Sequence, residues 1–440
     1  MAKETPSAEE IEEKRRQRAE KKRIEAEKKE ADERGGPSPS DSQFYTPRRW
    51  VAKRNVKKEA NGSATRTLRV LSWNILAQGL VRRKLFPGSD CLKWKEREEG
   101  LCAEMRSHDW DIAAFQEVDK IEVHGPNIEK TGRKYLHNKG YASKQHGLMI
   151  SWRVKADRSS AGPSRLTFRD EPAGSKTIYF DLECVGSKVE GRKGMSRVTR
   201  NIALFAALAD AEDDAKGVIV ATTHLFWHPQ HAYERVRQTG LLKRALSEWR
   251  DEHAAWKDWP MILAGDFNDQ PHSATYKLMT GEALTAHNCE ELQISSVVHK
   301  SVDEAREKRG TDDAEDEGEE EEEEEEEEEQ ESEEKDDQMI KNCRRALPED
   351  GLLSLGELIQ LHDLSQPRPQ SSSSHDDDSQ QYIGHKPNAG LTSAYGANYG
   401  LLEESQEGNF FGSSNRGRER FDDTDWTPET PNPHLGQCKE

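Results

Sequence analysis

The sequence predicts an α/β domain of mixed sheets flanked by helices, set between strongly polar segments. Three observations predict it. Short apolar runs with strand character recur between residues 68 and 268, and most of them end on a polar side chain. Two longer amphipathic stretches lie among these runs, the alternation expected of an α/β fold. Finally, the 440 residues are 32% hydrophobic and 34% charged, too polar for one compact domain throughout, so a folded core with solvated segments is expected.

Residues 1–65 carry almost no large apolar side chains and alternate blocks of acid and base, so they read as a charged arm, at most an exposed ion-paired helix. Order is expected over 66–282. "LRVLSWN" (68–74) and "DIAAFQEV" (111–118) read as strands, with a helix between them on which Trp94, Leu101 and Met105 share one face. Further strands are expected at 146–153, 177–184, 200–208, 217–225 and 260–268. "AYERVRQTGLLKRALSEWR" is a helix with Val236, Leu242, Leu246 and Trp249 as its core stripe. Past residue 283 the pattern dissolves, and 283–387 reads as an acidic low-complexity insertion. It contains an unbroken run from Glu319 to Glu329, with one short helix expected inside 347–364. Residues 388–440 read as a partial return to the domain followed by an irregular tail.

The formal net charge of −19 argues against broad electrostatic capture of nucleic acid, but the deficit is concentrated outside the expected core. The acidic run is first a solvated spacer; basic protein partners are the alternative. Six scattered cysteines without a C-x-x-C suit reduced thiols better than a disulfide framework or a zinc site. No apolar run reaches the length of a membrane span, and the start has no signal-peptide core, so cytoplasm or nucleus is expected.

Four strand ends could do chemistry: Asn74 in "SWN", Glu117 in "FQE", His224 in "TTHLFWHP", and Asp266, Asn268 and Asp269 in "GDFND". Each alone is an ordinary cap, turn or core histidine. The spacing of His224, His228 and His231 could suit zinc on a helix, but Pro229 interrupts the segment. Taken together, Glu, Asp and Asn oxygens suit magnesium, which takes few carboxylates plus water and substrate phosphate. An Asp can deprotonate a water while an amide holds a phosphoryl oxygen and a histidine stabilises developing charge.

The ordered motifs "LSWNILAQ", "AFQEVD", "NIALFAAL", "THLFWHP" and "ILAGDFNDQPHSATYKLMTG" resemble the endonuclease/exonuclease/phosphatase superfamily. Their wording is closest to the branch of nocturnin, the angel proteins and the carbon-catabolite-repressor type deadenylases. The resemblance runs from Leu68 to Gly281 and resumes weakly at 391–396. It implies a four-layer α/β sandwich, two mixed sheets face to face with helices outside. It also implies magnesium-dependent (or manganese-dependent) hydrolysis of phosphodiester bonds, typically trimming RNA from its 3′ end. Carried over, Glu117 is the principal metal ligand with Asn74 beside it, His224 contacts the scissile phosphate, Asp266 activates water and Asn268 positions phosphate. Asn74, His224 and Asn268 thus face the substrate, and Asp269 has no family role and reads as a turn residue.

The family pattern closes with an "LDYI"-like strand and an "SDH" triplet, and neither occurs in this sequence; "DDTDWTP" and His434 lack a strand-like context. The resemblance therefore implies a truncated sandwich without its closing His–Asp pair. An incomplete or mis-spliced gene model of an ordinary nuclease is the simpler explanation, and a shortened product, inactive or dependent on another chain, is the other. Against the main expectation of an RNA exonuclease or deadenylase stand two rivals. One is a phosphatase of the same superfamily acting on a small substrate, such as the 2′-phosphate of a nicotinamide dinucleotide. The other is a non-catalytic RNA- or protein-binding module.

Overall fold

The computed structural model describes residues 68–83, 92–155, 165–185, 194–303, 340, 342–369 and 391–393. The first 67 residues, Cys91, Cys438, the Glu319–Glu329 run, most of 388–400 and the tail from 394 lie outside the described residues. Everything described up to residue 369 belongs to one compact unit, and 391–393 belong to a second.

Two four-stranded mixed sheets form the core of the first unit. One runs β1 (Val70–Asn74), β2 (Ile112–Val118), β4 (Gly147–Arg153), β3 (Arg133–Asn138), with β1 parallel to β2 and the other pairings antiparallel. The other runs β5 (Gly174–Tyr179), β6 (Ile202–Ala209), β7 (Gly217–His224), β8 (Met261–Asp266), with only β7 and β8 parallel. Each sheet therefore carries one parallel pair at its edge, and Asn74, Glu117, His224 and Asp266 all fall at or next to the carboxyl ends of those pairs.

Strict alternation decides what each strand packs against. Leu148, Ile150 and Trp152 of β4 meet Ile202, Leu204, Ala206 and Leu208 of β6 and Val218 and Val220 of β7 between the sheets. The opposite faces are covered by helices. Met105 of α1 (Trp94–Ser107) and Ile128 of α2 (Ile121–Glu129) pack with Ala113, Phe115 and Met149. Val236, Leu242, Leu246 and Trp249 of α3 (Ala232–Asp251) pack with Phe205, Ile219 and Ala221. Helix, sheet, sheet, helix is the four-layer sandwich that the resemblance implies.

Strands and helices stand largely where the sequence places them, with three differences. The run 177–184 is strand only to Tyr179, because the chain turns there and the Asp181 carboxylate caps the Thr199 and Arg200 amides. β3 and α2 carry no apolar period: β3 is a half-buried edge strand and α2 contains Gly125 and Pro126. Order also continues past residue 283. α4 (Ala274–Thr280) is followed by α5 (Ala286–Ile294), and a short ribbon pairs β9 (Val297–His299) with β10 (Cys343–Arg345). The short helix expected inside 347–364 is α6 (Leu355–His362), which lies on α3. Thr285 with Asn288, and Ser354 with Glu357, form capping boxes that start α5 and α6.

Arg244 of α3 closes the other end of α6, donating to the carbonyls of Gln360, Leu361 and Asp363 at 2.6–2.7 Å, and Lys243 donates to that of His362 at 2.8 Å. These bonds satisfy carbonyls that a helix end otherwise leaves open. Cys102, Cys184, Cys289 and Cys343 are free thiols. Among the described residues no helix is long and apolar enough to cross a membrane.

Candidate active site

Glu117 reaches the site through a break in its strand. Along β2, Phe115 pairs with Met149, but Val118 pairs with Gly147, so β2 carries one extra residue over this step. Phe115 and Val118 consequently both face the helix-side core. Glu117 takes φ +60° in this bulge, a conformation a non-glycine residue adopts only when its surroundings hold it. The bulge turns its carboxylate out of the alternating pattern and toward the strand ends.

There it meets Asn74, whose Nδ2 donates to Glu117 Oε1 at 2.6 Å and to Asp266 Oδ2 at 2.9 Å. Asn74 Oδ1 accepts the Leu76 N–H at 2.9 Å, which fixes which way the amide points. The second Glu117 oxygen accepts the Ala77 N–H at 2.8 Å. His224 lies between the acids, Nδ1 3.9 Å from Glu117 Oε1 and Nε2 4.0 Å from Asp266 Oδ2. These separations are electrostatic contacts rather than hydrogen bonds. Glu117 is nearly enclosed, with its side chain 8% exposed, while that of Asp266 is 32% exposed, so the site opens on the Asp266 side.

The turn after β8 holds Asn268. It has φ +47°, tolerable for Asn, and its N–H donates to Asp266 Oδ1 at 3.0 Å while its Nδ2 donates to the Leu225 carbonyl at 2.9 Å. β7 and β8 approach closely at this point: a Cβ on Gly265 would sit 2.4 Å from the Thr223 carbonyl oxygen, so only glycine fits before Asp266. Asp269 points away and pairs with buried Arg235 at 3.1 Å, a structural tie between this turn and α3.

The other histidines of the His224–His231 stretch do not join the cluster. His231 is buried, edge-on to Phe226, and its Nε2 lies 3.3 Å from an Arg197 nitrogen. His228 Nδ1 accepts the Gln230 N–H.

Three side chains that the sequence does not single out belong to the neighbourhood. Gln116, buried beside Glu117, donates across the sheet interface to Thr222 Oγ1 at 3.0 Å. Asp119 accepts the Gln78 N–H at 2.7 Å. His146, just before β4, has its ring 6.2 Å from that of His224. Burial pushes its imidazole down to about 4 against the pull of Glu117, so it is neutral at neutral pH. Gln116 and Asp119 stand inside the "AFQEVD" motif with no role attached to them there, and no sequence pattern marks His146.

Two carboxylates share one amide donor here, with the His224 imidazole about 4 Å from each. Such a set of hard oxygen donors fits a divalent cation. Among the described residues no group of three or more His, Cys, Asp or Glu side chains could cage a metal ion alone.

Face-to-face mixed sheets with acids, amides and an imidazole gathered at the ends of their parallel pairs define a four-layer α/β sandwich with one polar cluster at its strand ends. The chain belongs to the endonuclease/exonuclease/phosphatase family, whose model matches residues 71–314. It is similar to a probable RNA exonuclease of Schizosaccharomyces pombe, with 32% identity over 224 residues, 49% of this chain and 39% of that protein. The RNA exonuclease NGL2 of Saccharomyces cerevisiae is 29% identical over 262 residues, 56% of this chain and 49% of that protein. The chain thus spans half or less of the length of these relatives. Among solved structures, ANGEL2, described as a 2′,3′-cyclic phosphatase, superposes with a TM-score of 0.38 at 20% identity, over 48% of this chain and 57% of that one. The human Nocturnin catalytic domain gives a TM-score of 0.36 at 22% identity, over 50% and 70%.

Proposed function

We propose that the chain carries the site of a magnesium-dependent 3′–5′ exoribonuclease of the deadenylase-like kind. The observation that carries this reading is the convergence of Asn74, Glu117, His224 and Asp266 at one end of the sandwich. Relatives named as RNA exonucleases support RNA as the substrate.

In this reading Glu117 holds the cation, with Asn74 beside it, and manganese substitutes for magnesium. The bound cation supplies positive charge for the phosphate oxygens. Asp266, on the open side of the site, accepts the proton of the attacking water; its Oδ1 is oriented by the Asn268 amide. Asn268 spends one amide hydrogen on Leu225 and offers the second to a phosphoryl oxygen. His224 faces the phosphate and stabilises the charge that develops there. Cytoplasmic or nuclear residence, and a basic protein partner for the Glu319–Glu329 run, belong to the same proposal; fractionation and crosslinking of the tagged chain check them.

The test is incubation of the full chain with magnesium and a 5′-labelled RNA ending in an adenosine tract. Stepwise shortening from the 3′ end, abolished by chelator, is the expected result. Phosphate release from a small 2′-phosphorylated dinucleotide with RNA left intact would replace this reading by the phosphatase one. RNA binding without any turnover would replace it by the binding module.

A further inference from the structure

The guanidinium of Arg97, on the first turn of α1, is aimed at the loop that follows β1. Nη2 donates to the carbonyls of Ile75 at 2.8 Å and Leu76 at 2.5 Å, and Nη1 donates to Gln78 Oε1 at 2.8 Å. Bonds from a charged donor are roughly twice as strong as neutral ones.

The loop held in this way is not relaxed. Leu76 has φ +57°, the left-handed region that a leucine rarely enters. Its side chain is 43% exposed between buried Ile75 and Ala77, so core packing does not offset the strain. The same backbone restrains the site. The Leu76 N–H holds Asn74 Oδ1, the Ala77 N–H holds Glu117 Oε2 and the Gln78 N–H holds Asp119 Oδ2. Three successive amides thus aim three polar side chains; Arg97 grips the carbonyls of the first two of these peptide groups and, at the third, the Gln78 side chain.

We propose that Arg97 is a positioning residue for the Asn74–Glu117 side of the site. It keeps Leu76 in the left-handed conformation that turns the 76–78 amides toward Asn74, Glu117 and Asp119. Its effect on cation binding and catalysis rests on the reading of the site given above; its effect on the loop does not.

The experiment compares the full chain with Arg97→Lys, Arg97→Met and the double variant Arg97→Met/Leu76→Gly. Three readouts are taken: hydrogen exchange of peptides covering 75–80, binding of manganese alone by electron paramagnetic resonance, and RNA turnover. Removing a residue that orients ligands costs about 10- to 100-fold in metal affinity or rate, so Arg97→Met is expected to weaken manganese and lower kcat by that range, with KM changed about threefold or less. Exchange at Leu76, Ala77 and Gln78 should quicken about tenfold or more while β6 and β7 peptides are unchanged. Leu76→Gly should recover part of the loss, because glycine takes this φ without being held. Arg97→Lys, which keeps the charge but not the fork, should fall between and guards against a variant that fails to fold.

Unchanged exchange in Arg97→Met overturns the proposal. So does faster exchange with manganese affinity and kcat both unchanged, which would make Arg97 only a tie between α1 and β1. If the parent chain neither binds manganese nor cleaves RNA, the functional reading fails. The proposal then stands or falls on whether Arg97→Met frees the loop and Leu76→Gly restores its protection.

Discussion

Gln116 reaches across the interface between the two sheets and donates to Thr222 Oγ1 at 3.0 Å, with both residues buried. Glu117 follows the first, and His224 stands two residues beyond the second. The bond therefore joins the two sheets just behind Glu117 and His224. Replacing Gln116 by Leu strands a buried hydroxyl and should cost about 1–3 kcal/mol in chemical denaturation. Thr222→Val should cost less once Gln116 is already Leu, giving a coupling of about 1 kcal/mol in a double-mutant cycle. Additive effects would mean the bond is not formed in solution.

Asp269 lies within the most legible motif of the chain and yet faces Arg235, whose side chain is 3% exposed. Asp269→Ala should therefore strip the carboxylate from a buried guanidinium that keeps only its bonds to the His228 and Pro229 carbonyls, and lower stability by about 1–3 kcal/mol. Turnover below the new melting temperature should stay within about threefold of the parent, since no reacting group is removed. A large fall in kcat at unchanged stability would give Asp269 a chemical role.

Buried histidines make the fold sensitive to acid. Burial pushes His362 down to about 3, helped by Lys243, and His124 down to about 4, from an ordinary value of 6.5. Below pH 6.5 the unfolded chain takes up protons that the folded chain refuses. The stability contributed by each neutral imidazole is thus intact above 6.5 and lost as pH falls toward 4 and then 3. Each group adds a slope of at most about 1.4 kcal/mol per pH unit in that window. His362→Gln keeps a donor for the Val236 carbonyl that His362 now meets at 2.9 Å. It should flatten the stability profile between pH 6.5 and 4 by close to one proton; an unchanged slope would show that His362 titrates normally.

The strand ends that carry Asn74, His224, Asp266 and Asn268 are readable because an apolar run that stops on a polar residue fixes both the strand and the place where it leaves the sheet. How Glu117 points is not readable. Simple alternation puts it on the same side as Phe115, and only the bulge, visible in the pairing with β4, turns it inward. Arg97 and Gln116 are hidden for a different reason. One lies in a charged helical run that reads as solvated, the other in an apolar strand where a single amide reads as incidental, and the partners that matter here are 19 to 106 residues away. The capping residues of α5 and α6, by contrast, stand in the sequence as local signals past residue 283; weak apolar periodicity obscures α5, whereas the apolar spacing of α6 makes it readable.

The central claim is that Glu117 and Asp266 form one hydrolytic site, and the rates of RNA shortening by Glu117→Gln and Asp266→Asn measured beside the parent chain test it most directly. Each substitution keeps the side-chain shape and removes a charge, so folding should be preserved while the rate falls about 10²-fold or more. The double variant should be little slower than either single one, because the two carboxylates act as a unit. Parent-like rates in both single variants would contradict the account.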